Sequence, residues 1–135
     1  MSLPKPLDGS PPWVPASGHA LRHAGVHFDA VRIAGVLAED VAYRLMTFTD
    51  FQAGPIVRES TGHRNMYFLL PPHTASAYTW PPAVRALTRG AGCDAYVGVP
   101  AFDGLTWPLD WRSRPTPEMP YVEPDLLHLL VTEAV

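Results

Sequence analysis

The groups in this sequence best suited to chemistry are its histidines, one cysteine and a few acids and arginines near them. His19, His23 and His27 recur at intervals of four, with Asp29 just beyond. On a helix that spacing lines three imidazoles along one face, a donor set suited to zinc or copper. Gly25 and the strand-like residues after it interrupt such a helix. Along an extended strand successive members stand about 13 Å apart, too far to share an ion. Ordinary surface or turn histidines are therefore expected. Asp29 meets a similar limit, because one carboxylate does not hold a hard divalent cation without help from substrate phosphates. It reads as a structural acid, hydrogen-bonded or paired with Arg32 or a neighbouring arginine. No metal site and no cofactor are expected.

Cys93 lies between Gly92 and Asp94 with no nearby histidine to activate it, so a packed or edge thiol is expected. As a single cysteine it excludes an internal disulfide and a thiolate cluster, and a reducing cytoplasm is the simplest compartment. His73 and His128 are isolated histidines, and each reads as a satisfied side chain. Trp80, Trp107 and Trp111 have the chemistry to stack on a base or sugar. Each lies beside proline or in an apolar run, which favours core or rim packing.

The net charge of -3 and pI near 6.0 give no long-range attraction for a polyanion, so tight nucleic-acid tracking is disfavoured. Nine of the ten basic residues are arginines, and Arg58, Arg64, Arg85 and Arg89 are the ones placed to converge locally. With 135 residues, 47% hydrophobic and 17% charged, the chain suits one globular domain. No apolar run approaches the roughly 20 residues of a membrane span.

The elements that must position these groups are legible in outline. Residues 1–18 carry five prolines and read as an extended arm with Trp13 as its anchor. Residues 19–135 then form a single domain. Val26 to Ile33 alternates as a strand, with Phe28 and Ala30 on one face and Asp29, Val31 and Ile33 on the other. Leu37, Val41, Leu45 and Phe48 recur at helical spacing. Ile56 to Glu59 and Asn65 to Leu70 form a hairpin through Ser60-Thr61-Gly62, and the second strand, apolar on both faces, belongs at the centre of a sheet. Ala83 to Thr88 reads as a short amphipathic helix. Ala95 to Val99 and Leu105 to Leu109 read as a second hairpin joined through Asp103-Gly104, and Arg112 to Pro120 as irregular chain. A last helix follows Glu123-Pro124-Asp125. This order predicts an α+β fold, one mainly antiparallel sheet with helices chiefly on one face, in which the strands near Asp29 and Val97 flank Asn65 to Leu70.

Two segments carry a resemblance. Gly62-His63-Arg64-Asn65-Met66-Tyr67-Phe68 and Asp94-Ala95-Tyr96-Val97-Gly98-Val99-Pro100 resemble the primase-polymerase domain of the archaeo-eukaryotic primase superfamily. Members of that family carry a Gly-Gly-x-His-x-Tyr-Phe strand and, later, a Gly-Gly-Tyr-Val-Val-x-Pro-Pro strand. The resemblance covers roughly residues 26 to 111 and implies a core related to the RNA-recognition-motif fold. In the family, two acids alternating on a strand and a third acid later hold divalent metals for nucleotidyl transfer, and the motif histidine contacts phosphate.

This chain departs from that pattern. Asn65 stands at the histidine position and His63 falls two residues early. Only Asp29 matches the acidic strand, with Val31 at the alternating position, and no acid lies near Ala86-Leu87-Thr88-Arg89. The resemblance therefore implies a non-catalytic remnant that binds a protein partner or a nucleotide-like ligand in the old cleft. Asp29, His63, Arg64, Asn65, Tyr67 and Arg89 are its candidate ligand-binding residues, with Asp29 and Asn65 on the same open side of the sheet. Weak nucleotide or single-stranded nucleic acid binding accompanies that reading. The alternatives are a structural or regulatory interaction protein or homo-oligomer built on the proline-rich arm and strand edges, and a residual enzyme using Asp29 and His63.

Overall fold

A computed structural model describes residues 10–90 and 94–135. In chain order these residues form β1 (His19–His23), β2 (Asp29–Ala34), α1 (Gly35–Phe48), β3 (Ile56–Glu59), β4 (Asn65–Leu70), a 3-10 turn (Ala75–Ala77), β5 (Val84–Leu87), β6 (Tyr96–Pro100), β7 (Leu109–Ser113) and α2 (Pro124–Ala134). The architecture is α+β. A five-stranded antiparallel sheet runs in the order β5-β2-β4-β3-β7, and β1 and β6 make a separate two-stranded sheet.

The alternation of β2 sorts its residues as the sequence predicts. Val31 and Ile33 join Met66, Phe68, Leu70 and Ile56 on one face of the large sheet, where Val41 and Leu45 of α1 and Leu127 and Val131 of α2 pack against them. On the other face, Ala30, Leu69 and Val57 meet Val97 and Val99 of the small sheet, together with Trp13 and Phe28. Three layers result, with the helices on one side and the small sheet on the other. At α2 the start is fixed by Pro124 and by the Glu123 side chain, which accepts from the Asp125 N–H at 3.3 Å.

β4 is central, as its two apolar faces require, and is flanked by β2 and β3. The strand near Val97 does not flank it, because β6 pairs with β1 instead. The expected second hairpin is likewise absent: β7 begins only at Leu109 and pairs with β3. Pro108 has no N–H to offer a ladder, so the strand starts after it.

Ala83 to Thr88 is not a helix. Its core, Val84–Leu87, is an edge strand paired with Ala30 to Ile33 of β2. A segment this short cannot sustain a helix by itself, whereas the unpaired edge of β2 offers it a complete ladder. The strand expected from Val26 begins at Asp29, since Val26 and His27 lie in the turn after β1. β1 itself falls at the junction expected between arm and domain. The arm is anchored as predicted within the described residues: Trp13 is 3% exposed, meets Phe28 edge-on at 5.2 Å, and accepts from Arg22 Nε at 2.9 Å through its carbonyl. The expectations for residues 1–9 and for Cys93 fall outside the described residues.

Candidate functional site

Asp29, at the start of β2, is completely buried and faces the helix layer with Val31 and Ile33. Its two oxygens are both engaged, Oδ2 by the Ala75 N–H at 2.9 Å and Oδ1 by the Thr88 hydroxyl at 2.9 Å. The carboxylate ties the 3-10 turn and the end of β5 to β2. Arg32 is not its partner, because a residue three positions along a strand points to the opposite face. Arg89 lies at this same end of β2, its backbone pressed against Gly25.

Arg64 and Asn65 lie at the other end. Register pairs Asp29 with Leu70 but Ala34 with Asn65, which separates Asp29 from Asn65 by about 17 Å along the strands. Parity also puts them on opposite faces of the sheet, so the expected shared cleft of Asp29 and Asn65, bordered by Arg64 and Arg89, is not assembled. Arg64 caps the turn before β4 in left-handed backbone, φ 53°, and its carbonyl accepts from the Gly35 N–H at 3.2 Å. His63 is exposed in the same turn.

Asn65 and Tyr67 share their face with a group that the sequence did not single out as a set. Arg32 of β2 is register-paired with Tyr67 on one side and with Arg85 of β5 on the other. The Tyr67 phenol is half-buried; burial and the nearby Glu59 carboxylate raise its pKa, against hydrogen bonding by Asn65 and Arg32. Asn65 donates to Glu59 Oε1 at 3.3 Å. Among the described residues neither Arg32 nor Arg85 forms an ion pair with a carboxylate. Two guanidinium groups, a phenol and an amide thus line one uncovered part of the sheet, with Glu59 the acid beside them. The signal in the sequence was the alternation that puts Arg32 opposite Val31 and Ile33; its neighbour stayed hidden because Val84–Leu87 read as helical.

A cavity of about 430 Å³ opens around the corner, at the start of α1, lined by Gly35, Val36, Glu39, Arg58, Glu59, Ser60, Arg64 and Met66. Arg58 is held there by Asp110 through Nε at 3.0 Å and Nη2 at 2.5 Å, and that bond raises its pKa further. Glu39 lies 4.0 Å from Arg58 and 3.5 Å from Arg112, so both of these guanidiniums are neutralised locally.

The histidines do not converge. His19 and His23 occupy the two ends of β1 and His27 the turn beyond, and no group of three ligand-type side chains stands close enough to hold a metal among the described residues. His23 is stacked on Tyr96 at 4.9 Å, with Asp94 2.6 Å from its Nε2. His128 packs between Tyr78 and Trp80, at 5.0 and 5.2 Å, and its Nε2 donates to the Thr79 carbonyl. Trp80 and Trp111 are half-buried as expected. Trp107, in contrast, is 74% exposed beside the still more exposed Leu105. Among the described residues no helix is long and apolar enough to cross a membrane. Comparison with known proteins finds no matching family model, no matching curated protein and no matching solved structure.

Proposed function

We propose that this chain is a non-catalytic binding domain, primase-polymerase-like in ancestry, that holds a small phosphate-bearing, nucleotide-like ligand against the sheet face carrying Arg32, Arg85, Tyr67 and Asn65. The observation that carries this reading is the register pairing of Arg32 with Arg85, neither of them ion-paired with a carboxylate among the described residues. Neighbouring strands lie about 4.8 Å apart, so two planar forks there can converge on one tetrahedral anion. The Tyr67 hydroxyl and the Asn65 amide supply further donors at the rim. The engagement of both Asp29 oxygens inside the fold supports a binding role over metal-dependent transfer.

With a net charge of -3, attraction is local and salt-sensitive, and a small ligand is favoured over a nucleic-acid backbone. Titration of the chain with a nucleoside triphosphate and with labelled single-stranded DNA at low salt is the test. The triphosphate should bind saturably, and Arg32→Gln or Arg85→Gln should weaken it about tenfold, the loss expected for one charge-assisted contact. Sub-micromolar DNA binding contradicts the proposal. Absence of both favours the second reading, a protein-interaction module, for which the exposed Leu105 and Trp107 on the loop before β7 are the specific observation.

A further inference from the structure

Donors and acceptors are segregated on the arginine-rich face. Arg85, Arg32, Tyr67 and Val57 follow one another across β5, β2, β4 and β3 as one row of register-paired residues. The next row holds Ala34 and Asn65, with Glu59 beside Asn65 because Arg58 is opposite Met66. The Asn65 amide donates to Glu59 Oε1 at 3.3 Å, which fixes the carboxylate on this face. Glu59 Oε2 and Asn65 Oδ1 have no hydrogen bond or ion pair among the described residues, and both side chains are half-buried. Leu109, register-paired with Glu59 and buried, closes the row on the β7 side, where Gly98 of the small sheet lies close against it.

Two arginines at one corner and open acceptors at the opposite one suit a ligand that is anionic at one end and rich in donors at the other. We infer that the nucleotide held on this face is a guanine nucleotide, and that Glu59 is the residue that reads its base. The inference deepens the phosphate reading and rests on it. Guanine alone among the common bases presents two adjacent donors, N1–H and the 2-amino group, on its Watson–Crick edge, and one carboxylate accepts both. Adenine and cytosine set an acceptor beside their amino group, and uracil flanks its one N–H with carbonyls. Each of these turns a lone pair toward Glu59, a mismatch that a hydrogen-bonding site rejects strongly. Position separates the base from the sugar. Glu59 lies two residues along the strands and two to three strands across from the midpoint of Arg32 and Arg85, about 14 Å between backbones. A phosphate on the arginine forks therefore sets the ribose over Tyr67 and carries the base on to Glu59. That separation exceeds the Debye length of about 10 Å at 0.1 M salt, so the Glu59 charge barely opposes the phosphate.

Calorimetric titration of the full chain with GTP, ITP, ATP and dGTP at low salt tests the inference. ITP lacks only the 2-amino group, so it should bind about tenfold more weakly than GTP, the loss expected for one charge-assisted contact. ATP should bind more weakly still, and dGTP should match GTP. Glu59→Gln keeps the acceptor for Asn65 while removing the charge, and should bring GTP, ITP and ATP within a few-fold of one another. Should that variant not fold, the four-nucleotide comparison on the unaltered chain still decides. Equal affinity for GTP, ITP and ATP, or an undiminished GTP preference in folded Glu59→Gln, would overturn the inference. A loss with dGTP as large as that with ITP would overturn it too, by assigning the carboxylate to the ribose. Equal binding of all four, weakened together by Arg32→Gln, would leave the phosphate reading standing and remove the base preference alone. No binding of any of the four would remove both.

Discussion

Arg32 and Arg85 stand directly opposite each other on neighbouring antiparallel strands, two positive charges at paired positions with no carboxylate paired to either among the described residues. Like charges so placed oppose the ladder that carries them. Replacing Arg85, the exposed member, with Thr should therefore stabilise the ligand-free domain by about 0.2–1 kcal/mol. The same change should weaken stabilisation by added triphosphate. Thermal melts with and without ligand read both effects, and a destabilised ligand-free variant would show that the pair is not repulsive.

Asp29 should act on stability. Asp29→Ala removes the acceptor for a buried N–H at Ala75 and for the Thr88 hydroxyl, and should cost about 2–4 kcal/mol. Denaturant titration would register it as a lower midpoint with an unchanged slope. Asp29→Asn should recover only part of the loss, because its amide nitrogen places a donor against a donor.

Gly25 admits no side chain. Its φ is +89°, and a Cβ there would lie 2.3 Å from Arg89 Cβ and 2.4 Å from Arg89 N. Gly25→Ala should destabilise by more than about 2 kcal/mol through strain and forced separation of the turn after β1 from the end of β5. A variant melting within a degree of the parent would refute that contact.

The Tyr78 phenol donates to Asp125 and is pushed up to about 12 by that bond. A folded pKa above the unfolded value of about 10 means that its contribution is complete below pH 10 and disappears as pH rises toward 12. Stability followed across that window should fall more in the parent than in Tyr78→Phe. Parallel curves would remove Tyr78 from the alkaline transition.

The parts of this fold legible from sequence were those whose period is long or whose burial is two-sided. The apolar faces of Met66 to Leu70 fixed β4 as central, and the helical stripe of Val41 and Leu45 gave α1. Phe48, on the same stripe and the last residue of the helix, is 71% exposed. What stayed hidden were short strands that exist only through distant partners. Val84–Leu87 takes its conformation from the edge of β2, and His19–His23 from β6. The candidate site inherited that limit. Asn65 and Tyr67 do lie together on one face, but their neighbour Arg85 becomes visible only once β5 is paired. Asp29 was placed on a strand correctly, while the face it shares with Asn65 was not, since strand parity puts them on opposite sides.

The pairing of β1 with β6 also has a temporal meaning. Leu21 is opposite Gly98, roughly 80 residues later in the chain. At about 5–20 residues per second on a ribosome, β1 waits about 4–16 s for its partner. During that interval β2, α1, β3 and β4 can already form their own hairpins and layer, whereas Trp13 lacks Val97 and Val99, its later partners in the core on that face. Early synthesis therefore yields a half-clad intermediate whose uncovered side is the Val57 and Leu69 face. That face is covered only when Val97 and Val99, and after them Leu109, arrive, so its closure waits on the second half of the chain.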